Sequence, residues 1–102
     1  MSSDAASRRI GAFTQRFGAA HLALACHAAF PLALTPDLLY RLWAHFQLDA
    51  QGAPLRVPWV AVADLLLSGM CREVGHELFE LEPAVRAALL RELRDSPRFG
   101  HA

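Results

Sequence analysis

Cys26 and Cys71, with His21, His27, His45 and His76, are the side chains whose types could supply a nucleophile, a base or a metal ligand. Their spacing does not organise them. Cys26 and His27 are adjacent, and one residue along a helix turns the side chain by about 100°, so the two point apart. His21 and His27 are six apart and also face differently, and neither pair has the spacing of a two-ligand metal clamp. His76-Glu77-Leu78-Phe79-Glu80 opens with histidine then glutamate, as a zinc-hydrolase helix does, but lacks the second histidine four positions after the first. Cys71 with His76 could form a nucleophile and base across the fold, yet no third polar group supports the pair. Gly69 and Gly75 are isolated glycines rather than a phosphate loop, and every basic side chain is arginine, so the lysine of a nucleotide clamp is missing. Glu77, Glu80 and Glu82 suit a hydrated strand edge better than the oxygen shell of a divalent cation. The reading is a chain that is not an enzyme, with no catalytic residue, no cofactor and no metal site.

The elements that would hold these residues belong to one domain. The chain has 102 residues, of which 54% are hydrophobic, enough for a single core. Ten basic and ten acidic residues give zero net charge, whereas a nucleic-acid binder needs an excess of cations to displace counterions. The two cysteines read as reduced, buried small hydrophobes of a cytoplasmic protein. Met1 to Arg9 is polar, and the residues after it are broken by Gly11, Gln15, Arg16 and Gly18, unlike the continuous apolar stretch of a signal peptide. The longest apolar run, Phe17 to Leu34, contains Gly18, His21, His27 and Pro31. It fits a buried helix and its exit turn rather than a membrane span.

Residues 1–7 are expected to form a flexible lead, 8–96 a single domain, and 97–102 a tail or truncated linker. Ile10, Phe13, Phe17, His21, Leu24 and Ala28 recur at helical spacing, interrupted by Gly11 and Gly18, so the secure helix is Gly18 to Phe30, ended by Pro31. Thr35-Pro36-Asp37 starts a second helix, with Thr35 as cap, Pro36 at the first helical position and Asp37 near the positive end of the dipole. It runs to about Phe46, and Leu42, Trp43 and Phe46 lie on its apolar stripe. Asp49 to Arg56 is a loop. Pro58 opens a third helix reaching Leu67, whose only charge is Asp64 and which should be buried on most sides. Ser68-Gly69 closes it. Residues 70–82 can be read as more helix or as a hairpin. The hairpin is preferred: Met70 to Val74, a turn at Gly75-His76, then Glu77 to Leu81, with Phe79 and Leu81 facing the core and Glu80 facing water. Pro83 starts a last helix reaching about Arg94. The fold class is mainly α, a small helical domain with a β-hairpin, winged-helix-like: three or four helices, a wing and a C-terminal helix.

Ala61-Val62-Ala63-Asp64-Leu65-Leu66-Leu67-Ser68-Gly69-Met70, followed by Arg72-Glu73-Val74-Gly75-His76-Glu77-Leu78-Phe79-Glu80-Leu81-Glu82-Pro83-Ala84-Val85-Arg86, resembles the winged-helix-like segments of bacterial multidomain signalling and conflict-system proteins. In those proteins a helix ending near Leu-Ser-Gly-Leu leads into a short hairpin and then a Pro-x-Val-Arg helix. The stretch Ala20 to Tyr40 is similar to the opening of the same module, and the likeness covers roughly positions 17–100. The module is fused there to larger parts such as NTPase, repeat, peptidase or formylglycine-enzyme-like domains. The resemblance implies a non-catalytic, effector-associated adaptor whose protein partner or fused effector domain holds the catalytic machinery. Related modules continue past the point of Arg98-Phe99-Gly100, so an excised domain is expected.

Seven large aromatic residues, Phe13, Phe17, Phe30, Trp43, Phe46, Trp59 and Phe79, compete for one small interior, and some are expected to form an exposed patch that marks a partner site. Three surfaces are candidates. One is the N-terminal side carrying Phe13, Phe17 and His21, which core packing would also explain. The second is Tyr40, Arg41 and Trp43, with His45 beside them, because Tyr, Trp and Arg suit interface centres. The third is an acidic wing of Glu73, Glu77, Glu80 and Glu82, which could steer a basic partner or simply solubilise the chain. Trp59 is expected to lock the preceding loop onto the body. The alternative function is a winged-helix nucleic-acid-binding transcriptional regulator. It would need Arg, Lys, Asn or Gln on the exposed side of the third helix, where Asp64 stands, so a protein partner is preferred and a homo-oligomer is left open.

Overall fold

The computed structural model describes residues 1–45 and 56–95. The loop expected over Asp49 to Arg56 (except Arg56), the position of Phe46 and the tail 97–102 lie outside the described residues.

Helix α1 spans Ser3–Phe17. Ser2 caps it, its hydroxyl accepting the Ala5 N–H at 3.0 Å, and Asp4 sits in the first turn where the dipole favours a carboxylate. The segment 3–7, expected as a flexible lead, is therefore the start of a helix, and Ala6 is fully buried in the core. The sequence signal was the Ser2 cap, which the glycines further along obscured. Gly18 divides α1 from α2 (Ala19–Ala28) with φ 95° and ψ 177°, a backbone conformation open almost only to glycine. Helix α2 is the central helix: His21 and every residue from Ala23 to Ala28 are buried. Its small side chains let α1 and α5 pack closely against it.

Helix α3 spans Pro36–His45, and the Thr35 hydroxyl caps it by accepting the Leu38 N–H at 3.1 Å. Helix α4 is shorter than the sequence suggests, Ala61–Leu66. The Pro58 and Trp59 carbonyls accept the N–H groups of Ala61 and Val62, so the chain makes a tight turn before regular helix begins. The expectation of burial on most sides fails. Only Ala61, Val62 and Leu65 are buried, while Trp59, Val60 and Leu67 are exposed. An apolar run fixes which side chains avoid water in isolation, but not how many neighbours are at hand to cover them.

Strands β1 (Cys71–Gly75) and β2 (Leu78–Leu81) form the preferred hairpin, antiparallel, with Cys71 opposite Leu81 and Arg72 opposite Glu80. The turn falls at His76-Glu77, one residue later than expected, because a bulge between Glu73 and Gly75 uses an extra residue. Glu77 takes the left-handed conformation, φ 53°. Leu81 is buried and Phe79 half-buried. Leu34 pairs with Phe79 through two backbone hydrogen bonds, of 2.7 and 2.8 Å, and so joins the hairpin to the connection between α2 and α3. Helix α5, Pro83–Asp95, begins where the Glu82 carboxylate accepts the Ala84 and Val85 N–H groups. It buries Val85, Leu89 and Leu93, four apart and on one face. The whole is a mainly helical domain with a small antiparallel hairpin, in the element order that the sequence implies.

Candidate functional site

Phe13 and Phe17 are one helical turn apart on α1, with ring centroids at 5.0 Å. The turn at Gly18 then brings the first turn of α2 back so that the His21 ring stacks on Phe17, 4.9 Å away and 9° from parallel. Two of the three residues of the first candidate surface are buried, Phe13 and His21, and Phe17 is half-buried. The structure thus brings all three together, as a ladder of rings rather than as an exposed patch. His21 is held from the other side by Asp64 of α4, with Nε2 2.9 Å from Oδ2. In that contact Nε2 donates to the carboxylate, and Nδ1 makes no hydrogen bond among the described residues.

Beside this ladder lies an open groove of about 500 Å³. One wall is the face of α1 that carries Arg9, Ala12, Phe13, Arg16 and Phe17, and the other is Asp64, Leu67, Ser68, Gly69 and Met70, where α4 turns into β1. Met70 and Phe13 form its buried base, whereas Leu67 stands at the rim with 85% of its surface exposed. Arg9 crosses one end, donating from Nη1 to the Gly69 carbonyl at 2.6 Å. The Arg16 guanidinium lies 5.1 Å from the centre of the Phe17 ring, within cation–π range. Neither arginine pairs with a carboxylate among the described residues.

The other two candidate surfaces are less coherent. Tyr40 is exposed, and Arg41 reaches back one turn to Asp37 at 3.1 Å. Trp43 is half-buried against the core, and its indole N–H donates to the Val57 carbonyl at 2.6 Å. Trp43, not Trp59, holds the segment after the loop; Trp59 is 62% exposed. His45 is exposed at the end of α3. On the wing, Arg72 donates from Nε to Glu80 at 2.7 Å, and Glu82 is engaged at the N-terminus of α5. That leaves Glu73 and Glu77 as its exposed carboxylates.

Both cysteine thiols are shifted away from ionisation. Burial, with the Glu92 charge adding to it, pushes the Cys26 thiol up to about 12, and burial pushes Cys71 up to about 12. Both are free thiols and stay protonated at neutral pH, where only a thiolate attacks or ligates well. Cys71 begins β1 and His76 follows its far end, so about 16 Å of strand separates them. Among the described residues no three His, Cys, Asp or Glu side chains gather as a metal ion would need. Nor is any described helix long and apolar enough to cross a membrane.

Sequence reasoning named Phe13, Phe17 and His21 but missed Arg9, Arg16, Asp64, Leu67 and Met70. The helical spacing of Arg9, Phe13, Arg16 and Phe17 was a readable signal for one wall. The opposite wall comes from a segment some sixty residues away, as the Arg9–Gly69 contact illustrates, and periodicity carries no information about it. No protein-family model, curated protein or solved structure matches this chain.

Proposed function

We propose that this chain is a non-catalytic protein–protein interaction module, an adaptor of winged-helix-like build. In this reading it recruits or regulates an effector in a bacterial signalling or defence system and works in the cytoplasm. The effector is a separate protein or a domain fused to this one. The observation that carries the reading is the groove between α1 and the α4–β1 turn. Aromatic side chains, Met and Arg are enriched at protein interfaces, and here Phe17, Met70, Arg9 and Arg16 line one concave surface with Leu67 exposed beside them. The resemblance of residues 61–86 to effector-associated modules supports the same role, and the raised thiol pKa values of Cys26 and Cys71 weigh against chemistry by those residues. A nucleic-acid role is disfavoured on charge: ten basic and ten acidic residues cancel over the chain, and the large side chains exposed beside α4, Trp59, Val60 and Leu67, are apolar.

The test compares chains that co-purify from the source cell with three forms of the full chain: wild type, Leu67→Glu in the groove, and Ala87→Glu on the exposed side of α5. A partner retained by wild type and by Ala87→Glu but lost with Leu67→Glu is the expected result. Identical partner sets for all three, or none for any, would contradict the reading.

A further inference from the structure

We infer that the groove receives an acidic amphipathic helix of the partner, which sets its apolar residues against Phe17 and Leu67 and its carboxylates on Arg9 and Arg16. This deepens the interaction reading and rests on it. Charge complementarity identifies the occupant. Arg41, Arg72 and Arg94 each have a carboxylate at hand; of the other arginines among the described residues, none of which forms an ion pair there, Arg9 and Arg16 share the groove. The one acid that lines the groove, Asp64, is hydrogen-bonded to His21 and forms no ion pair with either arginine, so two cations face a single carboxylate there. Arg9 uses Nη1 on the Gly69 carbonyl and keeps further N–H donors for an anion. Arg16 is held against Phe17, which leaves less side-chain freedom to lose on binding.

The shape selects a helix over an extended strand. An added strand needs a free row of backbone donors and acceptors, and this groove is walled by helix side chains and by a turn whose Gly69 carbonyl is already taken. Arg9 and Arg16 are seven residues apart, two turns and about 10 Å along α1. A partner helix laid beside α1 would match them with carboxylates at a similar separation and present apolar anchors at i, i+3 or i+4, and i+7.

The probe is a displayed library of helix-stabilised peptides of about fourteen residues, with the apolar face fixed as leucine and the flanking positions varied among Glu, Gln and Lys. It is selected on the intact chain. The inference expects glutamate-flanked peptides to win and their binding to weaken as salt rises. Arg16→Glu should lower their affinity about tenfold, and exchanging the facing glutamate for arginine should restore it. Arg16 is exposed, so this variant leaves the fold intact, which circular dichroism verifies. Winners flanked by Gln or Lys, or glutamate winners indifferent to Arg16→Glu, overturn the inference. If such winners are still lost with Leu67→Glu, the interaction reading survives without it, whereas winners insensitive to Leu67→Glu count against both.

Discussion

The His21 imidazole bridges two elements: its face stacks on Phe17 of α1, and its Nε2 meets Asp64 of α4 at 2.9 Å. The two partners of this hydrogen bond are 43 positions apart in sequence, and their contact fixes how the two walls of the groove sit against each other. One of the two nitrogens of the buried ring is satisfied by this contact, which offsets part of the cost of burying it.

Removing that bridge should destabilise the domain from both ends. His21→Ala leaves the half-buried Asp64 carboxylate without its donor and Phe17 without its stacking partner. The expected loss is about 1–3 kcal/mol, read from urea unfolding. His21→Phe retains the stack and should recover part of it. Equal stability of wild type and His21→Ala would show that the contact is incidental.

The two tryptophans make opposite predictions. Trp43→Phe removes the N–H that the Val57 carbonyl accepts and should lower stability by about 1 kcal/mol. Trp59→Ala removes a larger side chain but an exposed one, and should change stability by less than about 0.5 kcal/mol. A thermal melt of each variant decides, and a reversed order would mean that Trp59, not Trp43, holds the segment after the loop.

The glycines of α1 and its cap should also differ in sign. Gly18→Ala forces a side chain into φ 95° and should be destabilising by roughly 1–3 kcal/mol. Gly11 lies within the helix with open space around it, so Gly11→Ala should stabilise by about 0.5–1 kcal/mol. Denaturant midpoints give both numbers, and a gain from Gly18→Ala would refute the break between α1 and α2.

The thiols add an alkaline limit to stability. Each ionises near 9 ordinarily and near 12 in the folded chain, so the folded state keeps protons that the unfolded state releases. Their contribution is complete below about pH 9 and declines as pH rises from there towards 12. Stability measured across that window should fall less steeply in a Cys26→Ala, Cys71→Ala variant. At pH 8 native wild type should react with iodoacetamide much more slowly than the unfolded chain. Matching alkaline slopes, or fast alkylation of the native protein, would contradict the burial argument.

What sequence made legible was local. Thr35-Pro36-Asp37 starts α3, Pro83 starts α5, and the alternation around Phe79 and Leu81 gives the second strand. The errors came where the deciding contact is distant or where two local signals compete. Gly75 drew the expected turn one residue early because a bulge absorbs a position that sequence does not mark. The apolar run of α4 suggested burial on most sides, yet Leu67 at its end is exposed. The Leu34–Phe79 bridge and the Arg9–Gly69 contact join segments far apart in the chain. Half of the groove was therefore written in the spacing of α1, and the other half existed only after folding.

The most direct measurement is photo-crosslinking in the source cell with a benzophenone amino acid at position 67, compared with the same probe at position 87. The account predicts a discrete adduct to another protein from position 67, lost when Arg9 and Arg16 are both changed to glutamate, and none from position 87. No adduct from position 67, or equal adducts from both positions, would contradict it.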